Sequence, residues 1–95
     1  MGGEVLDHSG LGRSQLEMNN AAEAEATLQK LVSLNPMFSS AYYYLGKAQA
    51  ANYKNAAAIA SYRKEIENSP DKKVNLLLHI AAVQAEMAKT QPAAM

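Results

Sequence analysis

Residues Ser39–Pro70, SSAYYYLGKAQAANYKNAAAIASYRKEIENSP, decide how this chain is read. Tyr42 is followed at a helical interval by Leu45-Gly46, Ala58 precedes Tyr62 by four residues, and Pro70 closes the stretch. The spacing predicts two helices, one from about Ser39 or Ser40 to Ala51 and one over about Asn55–Asn68, with Asn52-Tyr53-Lys54-Asn55 as the turn. On the second helix Ala58, Ile59, Tyr62 and Ile66 are expected to be buried, and Arg63, Lys64, Glu65 and Glu67 to face water. Pro70 ends it, because proline lacks the backbone donor that a helix interior requires.

The pattern recurs 34 residues upstream. Leu45-Gly46 falls on Leu11-Gly12, Gln49 on Gln15, Ala56 on Ala22, Ala58 on Ala24, Ala60 on Ala26, Lys64 on Lys30 and Pro70 on Pro36. Those eight identities in 34 aligned positions exceed the two or three expected by chance, and Tyr62 on Leu28 and Ile66 on Val32 keep apolar against apolar. Small residues at Gly12, Gly46, Ala24 and Ala58 let antiparallel helices approach closely, and the large apolar residues fill the gaps.

A 34-residue period with these residues resembles the tetratricopeptide repeat. The resemblance covers about residues 5–38 and 39–72 as two repeats, with 71–89 as a closing helix and 90–95 as a tail, all in one domain. It implies an all-α fold of five helices, in which helix-turn-helix hairpins stack as a short right-handed solenoid. There are departures. Where the family has a tryptophan near the repeat start, this chain has Tyr42 and His8; where it has a tyrosine on the same helix, the chain has Gln49 and Gln15. Tyr53 lies in the turn, two residues before the usual helix-start tyrosine. The first helix seam is therefore expected to be thinner than the family's.

Outward from this stretch, residues 1–6 are expected to fray, and the first helix to run from Asp7 or Ser9 to about Met18. Asn20 is the expected cap of a second helix over about Ala21–Ser33, with Glu23 as its capping-box partner. Ala24, Leu28, Leu31 and Val32 form the apolar face of that helix, and Glu23 and Glu25 belong to a solvated one. Ser69 or Asp71 caps a fifth helix over about Asp71–Lys89. Leu76, Ile80, Val83 and Met87 make one apolar stripe on it, and Val74, Leu77, Leu78, Ala81 and Ala85 make a second. The two stripes are more than a helix docked on one side needs to bury. Ile80 and His79 stand where the repeat would have glycine and leucine, so this helix is read as closing the array.

Ninety-five residues allow one domain with a modest core. Apolar residues make up 48%, but alanine supplies many of them and buries little area per residue. No stretch reaches the roughly 18 apolar residues of a membrane span, so no direct membrane insertion is expected. The absence of cysteine excludes disulfides and thiolate chemistry. Net charge is zero, and residues 1–36 are acidic while 37–70 are basic, with no excess of the kind a nucleic-acid surface carries. No phosphate loop or metal-ligand spacing is present, and no cofactor is expected. His8 and His79 stand alone at seam positions and are read as packing residues. Nothing sets the localisation, the cytoplasm being a default.

The resemblance implies a concave groove lined by the first helix of each pair, which relatives use to hold an extended peptide or a partner helix. The groove residues it implies are Ser9, Arg13 and Glu17, then Tyr43, Tyr44, Lys47 and Ala50, then Leu77, Leu78 and Ala81. Three consecutive tyrosines cannot face one way on a helix that turns about 100° per residue. Tyr42 goes to the seam, and Tyr43 or Tyr44 to the groove; the alternative has all three covering neighbouring helices. Arg13 and Lys47 occupy equivalent places one repeat apart, either as groove cations or as solvated charges. No asparagine stands at the equivalent groove positions of the first three helices, which disfavours the chaperone-tail mode of the family. The expected function is non-catalytic protein binding, as an adaptor or assembly module. The structural alternative is a homodimer through Val74, Leu77, Leu78, Ala81 and Ala85. Two and a half repeats are near the minimum for independent folding, so a longer array or an oligomer is expected.

Overall fold

Each of the two repeats folds as a helix hairpin, and the backbone repeats down to its turn hydrogen bonds. The structure, a computed structural model, describes residues 3–90, with side chains from residue 10 to residue 89. The elements are α1 (Gly3–Glu17), α2 (Ala21–Leu34), α3 (Ala41–Ala51), α4 (Asn55–Asn68), a 3₁₀ turn (Pro70–Lys72) and α5 (Lys73–Thr90), with no strand among the described residues. Each helix packs on the next in chain order, which makes a short right-handed solenoid 54 × 29 × 19 Å in extent.

Both intra-hairpin turns place one residue in the left-handed region, Asn19 at φ 63° and Tyr53 at φ 64°. In one turn Asn20 N donates to Gln15 O at 2.7 Å and Asn19 N to Leu16 O at 3.0 Å; in the other Lys54 N donates to Gln49 O at 2.8 Å and Tyr53 N to Ala50 O at 3.0 Å. These paired bonds satisfy carbonyls that a helix end leaves open. Asn35 and Ser69 likewise end their helices with equivalent bonds, at 2.8 Å each, to Leu31 O and Glu65 O.

The glycines account for the tight hairpins. A Cβ on Gly12 would sit 2.7 Å from the Leu28 side chain, and one on Gly46 2.7 Å from the Tyr62 ring. Two apolar clusters result. The first joins Ala24, Leu28, Leu31 and Val32 of α2 to Ala41, Leu45 and Ala48 of α3, with Leu16, Phe38, Tyr42 and Tyr44 against it. The second joins Ala58 and Tyr62 of α4 to Leu76, Ile80 and Val83 of α5, with Tyr43, Ala50, Ile59, Ile66 and Met87 against it. α3 thus serves both clusters with opposite faces.

Several expectations are corrected. α1 begins at Gly3, ahead of Asp7, because Glu4-Val5-Leu6 continues the helix upstream. The capping box does not form: Asn20 has ψ 63°, short of the extended value that aims a cap side chain at the first helical N–H groups. Neither Ser40 nor Ser69 makes a side-chain cap bond, and Asp71 lies inside the 3₁₀ turn. Glu25 is only partly exposed. Its side chain accepts from Asn52 Nδ2 at 2.8 Å and Lys54 Nζ at 3.0 Å, tying α2 to the next hairpin. Glu65 does not face water either: it is 1% exposed, as argued below. The readings made for His8, Ser9, Asp7 as a cap and Thr90–Met95 fall outside the described side chains or residues.

Gln49 shows how the seam manages without the family's tyrosine. It is buried, and its Oε1 accepts the Ser61 hydroxyl at 2.5 Å. On α5 the first stripe is buried at Leu76, Ile80 and Val83, while Val74, Leu77 and Leu78 of the second are exposed.

Candidate peptide-binding groove

The tyrosine run takes three directions, as helical geometry requires. Tyr42 and Tyr44 pack on the first cluster and Tyr43 on the second, all half-buried. Along one side of α3, Tyr43 and Tyr44 join a ladder of rings and cations. The Arg13 guanidinium lies 5.3 Å from the Tyr44 ring centre. The Tyr44 and Tyr43 rings meet edge-on at 5.0 Å, and Tyr43 meets His79 edge-on at 5.1 Å. Lys47 Nζ stands 5.5 Å over Tyr43. At these distances a cation is attracted to the negative face of the ring, although Arg13 and Lys47 both remain exposed. α1, α3 and α5 are thereby linked across one surface.

His79 is the hinge of this arrangement. Its Nδ1 lies 2.9 Å from the Asn75 carbonyl, which only accepts, so Nδ1 carries the proton. Nε2 then accepts from the Tyr43 hydroxyl at 3.3 Å. Beneath them Tyr62 is 2% exposed, and burial, with Tyr43 nearby, pushes its pKa up to about 12. The phenol therefore stays neutral and serves as a wall.

The Tyr43–His79 contact separates two hollows between α3 and α5. One, of about 250 Å³, is lined by Ser40, Tyr43, Lys72, Asn75, Leu76 and His79. The other, of about 280 Å³, is lined by Lys47, Ala50, Tyr62, His79, Val83 and Glu86, among others. A third hollow on α1 is lined by Gly10, Arg13, Ser14 and Glu17.

Below the first hollow lies a buried ion pair. Glu65 Oε2 accepts Lys72 Nζ at 3.1 Å and the Ser40 backbone N–H at 3.2 Å. Lys72 also donates to Ser40 Oγ at 2.9 Å. Ser40 sits at φ 66°, which turns its N–H to the carboxylate and its hydroxyl to the ammonium. This explains why Ser40 does not cap α3.

Tyr43, Lys47 and Ala50 are thus brought together with His79. Tyr44 and Arg13 adjoin them, and Glu17 shares the α1 hollow with Arg13. Leu77 and Leu78 are exposed and line none of the three hollows, nor does the exposed Ala81. They are exposed on α5 away from these hollows, while Asn75, His79 and Glu86 line the side toward α3. Sequence reasoning missed Ser40, Lys72, Asn75 and Glu86. The spacing 75, 79, 82, 86 is helical, but these residues are polar or small and make no apolar stripe.

The tetratricopeptide repeat family matches residues 9–73. The chain belongs to that family, whose repeats mediate protein–protein interaction and carry no catalytic role. No match was found among curated proteins or among solved structures. Among the described residues no helix is long and apolar enough to cross a membrane.

Proposed function

We propose that this chain is a non-catalytic binding module that holds an extended peptide or a partner's helix on the surface shared by α1, α3 and α5, in an adaptor or assembly role. The observation that carries this reading is the ladder Arg13–Tyr44–Tyr43–His79 with Lys47 over Tyr43. Half-buried tyrosines with adjacent cations are the residue types that dominate binding energy at protein interfaces. They are presented here by helices, not loops, so little ordering is needed on binding. No cofactor and no nucleic acid enters this reading.

The test is a peptide-array screen followed by titration with the tightest peptide. Tyr43→Ala is expected to weaken binding at least tenfold while the far-ultraviolet circular dichroism is unchanged. Unaltered affinity in that variant overturns the reading.

A second reading is favoured by one observation: Val74, Leu77 and Leu78 are 73%, 46% and 64% exposed on one helix. Such a strip would be covered in a homodimer through α5. Leu77→Asp would then abolish a dimer seen by sedimentation equilibrium and leave peptide binding at Tyr43 and Lys47 intact. Joint loss of both properties contradicts the separation of the two faces.

A further inference from the structure

We propose that the crevice between α3 and α5 reads two side chains of one bound peptide: an amide side chain (Asn or Gln) in the Ser40–Lys72–Asn75 hollow and a branched aliphatic one in the Ala50–Tyr62–Val83 hollow, three residues apart. This rests on the peptide-binding reading above and deepens it.

The size of the hollows comes first. Small-molecule sites run to about 300–1,000 Å³. These two, at about 250 and 280 Å³, fall below that range and leave room for a side chain of a bound peptide together with water. They share His79 as their dividing wall, so one ligand crossing the Tyr43–His79 contact reaches both.

The chemistry of the first hollow is that of a compensated charge. Lys72 is one-third exposed, and its ammonium has three N–H groups. One goes to Ser40 Oγ and one to the buried Glu65 carboxylate, which leaves the third for a ligand. Ser40 Oγ, accepting from Lys72, keeps its own proton to donate. The Asn75 amide, on an exposed residue, offers both a donor and an acceptor. A carbonyl oxygen with an N–H beside it meets all of these. A carboxylate would set a second anion beside an ammonium that already pairs with the Glu65 carboxylate. The hollow therefore selects amide over acid.

The second hollow is walled by Ala50, Ala82, Val83 and the Tyr62 ring, with Lys47 and Glu86 at its edge. Its surface is mostly apolar, which suits an aliphatic side chain.

The spacing follows from the helices. Tyr43 lines the first hollow and Ala50 the second, seven residues further along α3. On α5, Asn75, Leu76 and His79 are followed at the same offset by Ala82, Val83 and Glu86. Seven residues at about 1.5 Å each put the centres about 10 Å apart. A polyproline-II stretch returns to the same side every third residue after about 9 Å. An anchor pair at i and i+3 therefore fits.

The probe is a library of end-blocked fluorescent nonapeptides, free of terminal carboxylate, with Gln and Leu fixed three residues apart in either order. Matched sets carry Glu or Ala for Gln, or a spacing of one or two residues, and one further set ends in a free carboxylate. Anisotropy titration is expected to rank the three-residue Gln/Leu set at least tenfold above the Glu and altered-spacing sets. Asn75→Leu, at an exposed position, is expected to erase the preference for Gln, and Ala82→Leu to erase that for Leu, with circular dichroism unchanged in both. Peptides that bind without these preferences, or a free-carboxylate set that ranks first, overturn this inference alone. Failure of every set to bind overturns it together with the peptide-binding reading.

Discussion

The two hairpins have one backbone and two different closures. In the first, Leu31 is fully buried and Phe38 packs on the same cluster. At the positions 34 residues on stand Glu65 and Lys72, joined at 3.1 Å with Glu65 only 1% exposed. An apolar pair has become an ion pair of the same placement. Leu28 over Gly12 becomes Tyr62 over Gly46. Gln15 Oε1 is buried without a hydrogen-bond partner, whereas Gln49 Oε1 takes the Ser61 hydroxyl. Leu11 is 51% exposed and Leu45 3%, because α3 packs between α2 and α4 whereas α1 packs chiefly on α2. The period specifies where helices start, turn and pack. What fills each seam is free to vary so long as the replaced residues change together.

The largest effect is expected where that comparison is sharpest. Lys72→Met leaves the buried Glu65 carboxylate unpaired and is expected to cost about 3 kcal/mol in urea unfolding, given the partial exposure of Lys72. Importing the first hairpin's pair, Glu65→Leu with Lys72→Phe, is expected to restore or exceed the parent stability, since well-packed apolar replacements of buried ion pairs are often neutral or better. A double variant as unstable as Lys72→Met breaks the equivalence of the two closures.

Tyr62 gives a pH signature that Leu28 cannot. Its folded pKa is raised to about 12 from the ordinary tyrosine value of 10.0, so the unfolded chain loses the proton first. This contribution is fully present below pH 10 and is lost as pH rises from 10 towards 12, by about 1.4 kcal/mol for each unit of difference. Urea midpoints across that range are expected to fall for the parent and to flatten in Tyr62→Phe.

Glycine substitutions come next. Gly46→Ala is expected to cost about 2 kcal/mol net, because its Cβ would lie 2.7 Å from a ring held in the core. Gly10 has nothing within 4 Å, so Gly10→Ala is expected to gain up to about 1 kcal/mol from helix propensity alone. Thermal unfolding of the pair separates packing from propensity.

The smallest expected effect is in the turns. Asn19 and Tyr53 share the left-handed conformation, which asparagine tolerates better than a ring. Tyr53 is 84% exposed, so nothing offsets the strain, and Tyr53→Asn is expected to raise stability by about 0.5 kcal/mol.

The helices and the glycine contacts were legible because both follow from the repeat offset. So was the buried stripe Leu76–Ile80–Val83, which helical periodicity defines. Glu65 was misplaced because it sits in the charged run Arg63–Glu67 and was read by composition. Its alignment with the buried Leu31, and that of Lys72 with Phe38, was the available signal: two apolar residues replaced by opposite charges at matched places. Tyr43, Lys47 and Ala50 could be named from the family's groove positions. Their partners on α5 could not, because the carried-over positions Leu77, Leu78 and Ala81 are exposed away from the hollows that Asn75, His79 and Glu86 line.

The most direct test is amide chemical-shift mapping of the full chain with the tightest peptide from the array. The account predicts perturbations centred on Tyr43, Lys47, His79 and Val83, on both sides of the α3–α5 crevice. Perturbations centred instead on Val74, Leu77, Leu78 and Ala85 would contradict it and move recognition to the outer face of α5.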